Sequence, residues 1–321
     1  MTGRDMSKSL KRGLATQGQT DMITPQALSS FYEQRIVVAG VARDCERTVR
    51  NDVFRLFQSL RKCKTLSWLV VESDSSDKTL DSLGALEVDV PSFRFMSLGS
   101  LQQKMPVRTQ RIAHCRNAYL EQLKSDPLYA DIDCVVVADL DGVNNLVTGD
   151  GFASCWMRSE WDVCTANQRG PYYDIWALRH RIWNPNDCWQ QYQFLIDHKA
   201  PREAARWAVT YTKMINIGEM EEWIEVDSAF GGLAVYRRHV LDGVVYSGLD
   251  EAGGIVCEHV SLNNQIRSNG YRIFINPRLI NTADISHAHQ RTFAQCLRRR
   301  CLDLRDEAKM GLLGAVSAIG K

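Results

Sequence analysis

Residues 134–142 read Cys134-Val135-Val136-Val137-Ala138-Asp139-Leu140-Asp141-Gly142. A short, nearly unbroken apolar run rich in valine suits a strand buried on both faces, as in a parallel sheet covered by helices. The run ends in two carboxylates at i and i+2, which point the same way on an extended backbone. Ligands of open α/β sheets sit outside the carboxyl ends of the strands. Two acidic oxygens there suit a hard divalent cation, Mg²⁺ or Mn²⁺, whose shell is completed by water and phosphate oxygens. Asp131-Ile132-Asp133 has the same spacing but precedes the strand and reads as a solvated turn.

The pattern repeats on the N-terminal side. Residues 35–42 (RIVVAGVA) form a second buried-strand run, and Val53, Phe54, Leu56, Phe57 and Leu60 follow at helical spacing. A strand is predicted at Leu66–Val71, ending in Glu72. Ser73–Lys78 is rich in N-capping residues and predicts a short helix through Leu83. A further strand is predicted at Phe93–Leu98, and Ile112, Cys115, Tyr119 and Leu123 mark a helical stripe over 108–123. The β-α-β-α-β-α-β order predicts an α/β fold, with a Rossmann-like, mostly parallel sheet and helices on both faces.

On the C-terminal side the periodicity weakens and Trp and Tyr become dense. Strands are predicted at Asp162–Asn167, Ala229–Tyr236 and Tyr271–Ile275, and a helix at Glu258–Arg267. The expected organisation is a polar, basic tail over 1–32, a domain over 33–290 and a basic amphipathic helix over 291–321. The domain divides into a regularly patterned half (33–150) and a mixed half (151–290). The terminal helix, with Arg298, Arg299 and Arg300, packs on the domain or touches an anionic membrane surface.

Composition narrows the function. The chain has 321 residues, 45% hydrophobic, with 39 Lys+Arg against 38 Asp+Glu. The even balance argues against nucleic-acid binding, which needs a surplus of positive charge. No apolar run approaches the roughly 18 residues of a membrane span. Met1–Thr20 lacks the apolar core of a secretory signal, so a cytoplasmic location is expected. The 10 Cys are scattered without a CxxC pair, which fits a reducing compartment and buried thiols rather than a zinc site.

Several further residues carry candidate chemistry. Val41, Arg43 and Glu72 end the first two strands, where backbone, guanidinium or carboxylate groups can meet a nucleobase or ribose. Arg111 and Arg116 lie on the helix before the acidic strand and can fork onto phosphate oxygens, or form a solvated face. Gly170-Pro171-Tyr172-Tyr173-Asp174-Ile175-Trp176 sets aromatics beside a carboxylate, a surface suited to stacking on sugars or to hairpin packing. Gly231 and Gly232 permit close backbone approach to a ligand. Glu258 opens a helix, as a general base or as a favourable charge at its N-terminus. His287, after the last strand, can supply a nitrogen ligand to the same metal.

Taken in order over roughly residues 35–290, these pieces resemble a GT-A glycosyltransferase. VESDSSDKTLDSL resembles the second β-α unit, RIAHCRNAYLEQL the Arg-Asn helix, VVVADLD the DxD motif, and CEHVSLNNQIRSNGYRIFINP the late acidic helix. Within that fold, the Glu72–Thr79 segment and Tyr173-Asp174-Ile175-Trp176-Ala177-Leu178-Arg179 resemble the fungal capsule-associated mannosyltransferases. The resemblance implies transfer of a sugar from a nucleoside diphosphate donor, GDP-mannose or a UDP-sugar, to a hydroxyl of a glycan or polysaccharide, with Mn²⁺ or Mg²⁺. It implies metal contacts from Asp139, Asp141 and His287, and a place near the base for Arg43 and Glu72. Many inverting members carry Glu-Asp where this chain has Glu258-His259, so Glu258, Asp227 and Asp174 stand as rival catalytic carboxylates and the stereochemistry stays open. A nucleotidyltransferase is the alternative enzyme, disfavoured because Val41-Ala42-Arg43-Asp44 lacks a Gly-rich basic loop; a non-catalytic glycan-binding protein is the other.

Overall fold

A computed structural model describes residues 22–283. Its strands are β1 (Arg35–Ala42), β2 (Thr65–Glu72), β3 (Phe95–Ser97), β4 (Cys134–Ala138), β5 (Val163–Gln168), β6 (Ile224–Val226), β7 (Leu233–Arg237) and β8 (Ile273–Thr282). The helices are α1 (Pro25–Tyr32), α2 (Val49–Leu60), α3 (Thr79–Asp89), α4 (Arg108–Ser125), α5 (Gly149–Ala153), α6 (Cys188–Asp197), α7 (Arg202–Val209) and α8 (Glu258–Ser268). All eight strands join one sheet in the order β3-β2-β1-β4-β7-β5-β8-β6. Pairing is parallel from β3 through β4 and between β5 and β8. Only β7 and β6 run against their neighbours. This is the mostly parallel α/β arrangement expected of a GT-A fold, with its mixed strands in the C-terminal half.

Alternation along the strands divides the core between the two faces. Val37, Ala39, Val135 and Val137 pack with Ala113, Cys115 and Tyr119 of α4 and with Leu262 and Ile266 of α8. Ile36, Val38, Cys134 and Val136 pack with Val53, Leu56 and Leu60 of α2 and Leu83 and Leu86 of α3. Each fully buried Val, Leu or Ile among them contributes roughly 1.5–3 kcal/mol. The buried stripe of α2 also contains Asp52, which has no exposed surface.

Several boundaries differ from the sequence reading, each for a local reason. The helix expected from Ser73 begins only at Thr79. Residues 73–78 instead cross-bond with the loop after β1: Asp44 accepts from Ser76 N–H at 2.7 Å and Glu46 from Lys78 N–H at 2.9 Å. The strand expected from Ala229 starts at Leu233, because Gly231 and Gly232 both take positive φ, +70° and +87°. The last strand runs to Thr282 instead of ending at Ile275. Pro277 is accommodated by irregular register with β5, where Asn167 Nδ2 donates to the Pro277 carbonyl at 3.1 Å. Asp133 is not merely a solvated turn: it accepts from Arg35 N–H, Nε and Nη2 at 2.8–2.9 Å. Of the cysteines, seven are buried, Cys63 is half-buried, and none forms a disulfide among the described residues. No described helix is long and apolar enough to cross a membrane. The tail expected over 1–32 is in part a helix, α1, whose Ala27 and Phe31 are buried; residues 1–21, His287 and the basic helix expected over 291–321 lie outside the described residues.

Candidate functional site

The chain passes from β1 to β2 on one side and returns to β4 on the other, so the sheet has a switch point between β1 and β4. Their paired register ends at Ala39 and Val137, so the strand ends beyond it lie at the switch point, where α/β sheets hold their ligands. A Cβ on Gly40 would lie 2.9 Å from the Ala138 carbonyl oxygen, so only glycine lets β1 approach β4 there.

Asp139 follows β4 directly. Its backbone N–H donates to the Gly232 carbonyl at 2.9 Å, and its own carbonyl accepts from Asn144 Nδ2. Leu140 turns into the opposite core, and Asp141 is exposed. The Asp139 carboxylate, 32% exposed, accepts from Arg116 Nη2 at 3.1 Å. Arg116, 3% exposed, also donates through Nε to Glu258 Oε1 at 3.2 Å. One guanidinium thus joins a carboxylate at the end of β4 to one at the first position of α8. Phe230 and Tyr246 flank it, with ring centroids 5.4 and 5.7 Å away.

Charge is dense here and solvent is scarce. Burial, with the charges of Asp141 and Glu258, pushes the Asp139 carboxyl up to about 7 against the pull of Arg116. Burial alone would lower the Arg116 pKa, but Tyr119, Glu258 and Asp139 outweigh it and keep the guanidinium firmly charged. His259 stacks on Phe230 at 3.6 Å; both its ring nitrogens are buried without hydrogen-bond partners among the described residues, with Nε2 3.7 Å from Glu258 Oε1. Burial, reinforced by Arg116, holds its pKa well below the ordinary value, so the imidazole is neutral.

Neighbouring groups hold this cluster in place. Asn117 exchanges two hydrogen bonds with the Tyr246 backbone at 2.8 and 2.9 Å, and Thr109 Oγ1 donates to the Gly248 carbonyl at 2.8 Å. Helix α4 therefore anchors the loop that leads into Glu258. Asp174 accepts from the Gly231 and Ala177 amides at 3.0 and 3.3 Å. With Asn281 and Gln168, which donate to the Gly231 carbonyl, it sets the glycine turn beside Asp139.

The other predicted residues take varied places. Val41 and Arg43 lie at the carboxyl end of β1; Arg43 is exposed beside Asp44 at 3.3 Å. Glu72 is 1% exposed and both its oxygens are engaged, one by Ser75 N–H and one by Ser97 Oγ. Arg111 donates to the Met105 and Pro106 carbonyls at 2.6 and 2.9 Å and faces Asp74 at 3.4 Å, so it builds the loop after β3. Asp227 is exposed and lies 3.7 Å from Arg267 in the last turn of α8. That helix is about 16 Å long, which separates Asp227 from Glu258 at its other end. No group of three or more His, Cys, Asp or Glu side chains is arranged around a metal position among the described residues. Asp139 and Asp141 still offer the oxygen donors that a hard cation shares with water and phosphate.

The sequence reading missed Asp52, Tyr246 and the stacked His259. Asp52 did carry a signal, since an acidic residue among Val49, Val53 and Leu56 on an apolar stripe is out of place unless something binds it. Away from the cluster, a groove of about 470 Å³ lies between α6 and α7. The side-chain amides of Asn186 and Gln190 line it beside Lys213, and Phe194, 61% exposed, supplies an aromatic wall.

No family model matches the chain, and no curated protein matches it. Among solved structures it is similar to the mannosyltransferase PcManGT from Pyrobaculum calidifontis in complex with GDP-Man and Mn2+, at 15% identity and a TM-score of 0.42 over 82% of this chain and 59% of that one. It is similar to TarS from S. aureus in complex with UDP-GlcNAc, at 13% identity and a TM-score of 0.46 over 80% and 61% of the two chains. It is also similar to glucosyl-3-phosphoglycerate synthase from Mycobacterium tuberculosis in complex with uridine-diphosphate, at 14% identity and a TM-score of 0.37 over 84% and 77%. The chain spans about three-fifths of the first two of these.

Proposed function

We propose that this protein is a glycosyltransferase that moves a hexose from a nucleoside diphosphate donor to a hydroxyl of a glycan or polysaccharide. One observation carries the reading: Arg116 joins Asp139 and Glu258 at the carboxyl edge of the sheet, beside the β1–β4 switch point. That edge combines a place for a nucleotide with a carboxylate pair for a cation and a carboxylate poised over the same spot. GDP-mannose is the donor that the closer family resemblance favours, with UDP-sugars as the alternative.

In this reading Asp139 and Asp141 hold Mn²⁺ or Mg²⁺, sharing it with water and the donor's phosphate oxygens. The cation supplies charge compensation for the diphosphate as it leaves. Val41 and Arg43 lie along the nucleoside, and Glu72 stiffens the base side through its bonds to Ser75 and Ser97. Arg116 holds Asp139 and Glu258 in fixed positions through its two ion pairs, and the Gly231–Gly232 turn brings backbone close to the sugar. Glu258 is the preferred catalytic carboxylate, because Asp174 is committed to two backbone amides and Asp227 sits at the far end of α8. The acceptor approaches from the 170–213 side, where the groove between α6 and α7 offers amides and an aromatic wall to a saccharide.

The test is thermal stability with a panel of nucleoside diphosphates, each with and without Mn²⁺. A ligand bound only by the folded state raises stability by mass action. We expect one base to stabilise the protein more strongly when Mn²⁺ is present, and the matching sugar donor to release nucleoside diphosphate. Pyrophosphate release would point instead to nucleotidyl transfer, and a protein indifferent to every nucleotide would refute the transferase reading.

A further inference from the structure

We propose that Thr48, the N-cap of α2, and Asp52, in its first turn, form a bracket that aims Asp141; the inference rests on the reading of Asp141 as a cation ligand. Asp141 is exposed, and its side chain makes no hydrogen bond or ion pair among the described residues. Its direction is therefore set by its backbone. The two peptide groups that flank it are each gripped by α2. Thr48 Oγ1 donates to the Leu140 carbonyl at 3.1 Å, and Asp52 Oδ2 accepts from the Gly142 amide at 2.7 Å.

The spacing makes this possible. Residues four apart lie on one face of a helix, so Thr48 and Asp52 present a hydroxyl donor and a carboxylate acceptor in line. The matching backbone groups, a carbonyl at 140 and an amide at 142, straddle the acidic residue. Gly142 takes φ +101°, and a Cβ there would come 3.2 Å from Thr48 Cγ2, so the grip also depends on glycine. Farther along, Asn144 Nδ2 reaches back to the Asp139 carbonyl and Leu146 N–H donates to the Asn281 carbonyl at 2.8 Å. The loop is thus laced on both sides of the carboxylate pair.

Asp52 is costly to keep. It has no exposed surface, and its Oδ1 is buried without a hydrogen-bond partner among the described residues. A packed aliphatic side chain would serve the apolar stripe of α2 better. What the carboxylate contributes instead is an acceptor at the Gly142 amide. Groups that orient metal ligands from behind typically alter metal affinity by roughly 10- to 100-fold when removed. Asp52 and Thr48 are positioning residues in this sense; neither touches substrate.

The experiment is a titration of the full chain with Mn²⁺ at a saturating concentration of whichever nucleoside diphosphate stabilises the wild type, read by calorimetry. Asp52→Ala and Thr48→Val should each weaken apparent Mn²⁺ affinity, by about tenfold or more for Asp52→Ala. Affinity for the nucleotide without metal should stay near wild type. Asp52→Asn should bind Mn²⁺ nearly as well as wild type, because its amide oxygen still accepts from Gly142. Melting temperatures of the metal-free proteins verify folding, and Thr48→Val tests the bracket if Asp52→Ala does not fold. Wild-type Mn²⁺ affinity in Thr48→Val and Asp52→Ala, with loss in Asp141→Ala, would overturn the bracket and leave the transferase reading standing. A wild-type protein that binds no Mn²⁺ beside any nucleotide would overturn both.

Discussion

Arg116 Nε lies 3.2 Å from Glu258 Oε1, although 142 positions separate the two residues in the chain. The same guanidinium reaches Asp139 at 3.1 Å, so its loss would strand two carboxylates in a poorly solvated site. Breaking a buried ion pair from one side costs about 3–5 kcal/mol. Arg116→Ala should therefore lower unfolding stability by roughly that amount in urea titrations. Arg116→Lys should recover little of it, because an ammonium cannot fork between two acids. A near-wild-type urea midpoint in Arg116→Ala would show that the triad does not hold the site.

Asp141 is the opposite case. It is exposed and makes no hydrogen bond within the described protein, so Asp141→Ala should leave the melting temperature of the free protein within the usual small range for surface changes. Donor hydrolysis and sugar transfer should nevertheless fall by orders of magnitude. Retained turnover in Asp141→Ala would remove the carboxylate pair from the reaction.

Asp52 should leave a signature in the pH dependence of stability. Burial pushes its carboxyl up to about 6, opposed by the Gly142 amide and aided by the charge of Asp141. An acid whose folded pKa is raised binds its proton more tightly when folded, so its contribution falls as pH rises from about 4 through 6. Asp52→Asn has no proton to lose. Its stability relative to wild type should therefore grow by on the order of 2–3 kcal/mol between pH 4 and 7. Urea unfolding of both proteins across that range checks this, and a constant difference would contradict the buried, raised carboxyl.

Gly232 combines φ +87° with a crowded neighbourhood. A Cβ would come 2.9 Å from both Tyr173 Oη and Val143 Cγ2. Gly232→Ala should cost about 1–2 kcal/mol in left-handed strain alone. It should also shift the carbonyl that receives the Asp139 amide, so the KM for donor should rise along with the loss of stability. Steady-state kinetics beside a melting curve separate the two effects.

The groove between α6 and α7 predicts a different kinetic split. Phe194→Ala combined with Gln190→Ala removes its aromatic wall and one lining amide. Transfer to acceptor should weaken through a higher acceptor KM, while donor hydrolysis stays unchanged. An equal fall in both rates would place the groove outside acceptor binding.

Much of the sheet was legible because its signals are local. The β-branched runs at 35–42 and 134–138, and the apolar stripe of α2, each follow from periodicity that neighbouring residues alone create. The place of Asp139 and Asp141 at the end of a buried strand followed in the same way. Tertiary structure decided the rest. Which acid meets Arg116, why Glu72 and Arg111 spend their polar atoms on nearby loops, and where Asp227 lies all depend on which elements pack together. The start of β7 was hidden for a related reason: two left-handed glycines end the extended backbone where β7 meets β4. Asp52 reaches Gly142 across 90 positions. Contacts of that span leave no periodic trace, because the backbone fixes only the near neighbours of a residue and packing chooses its distant ones.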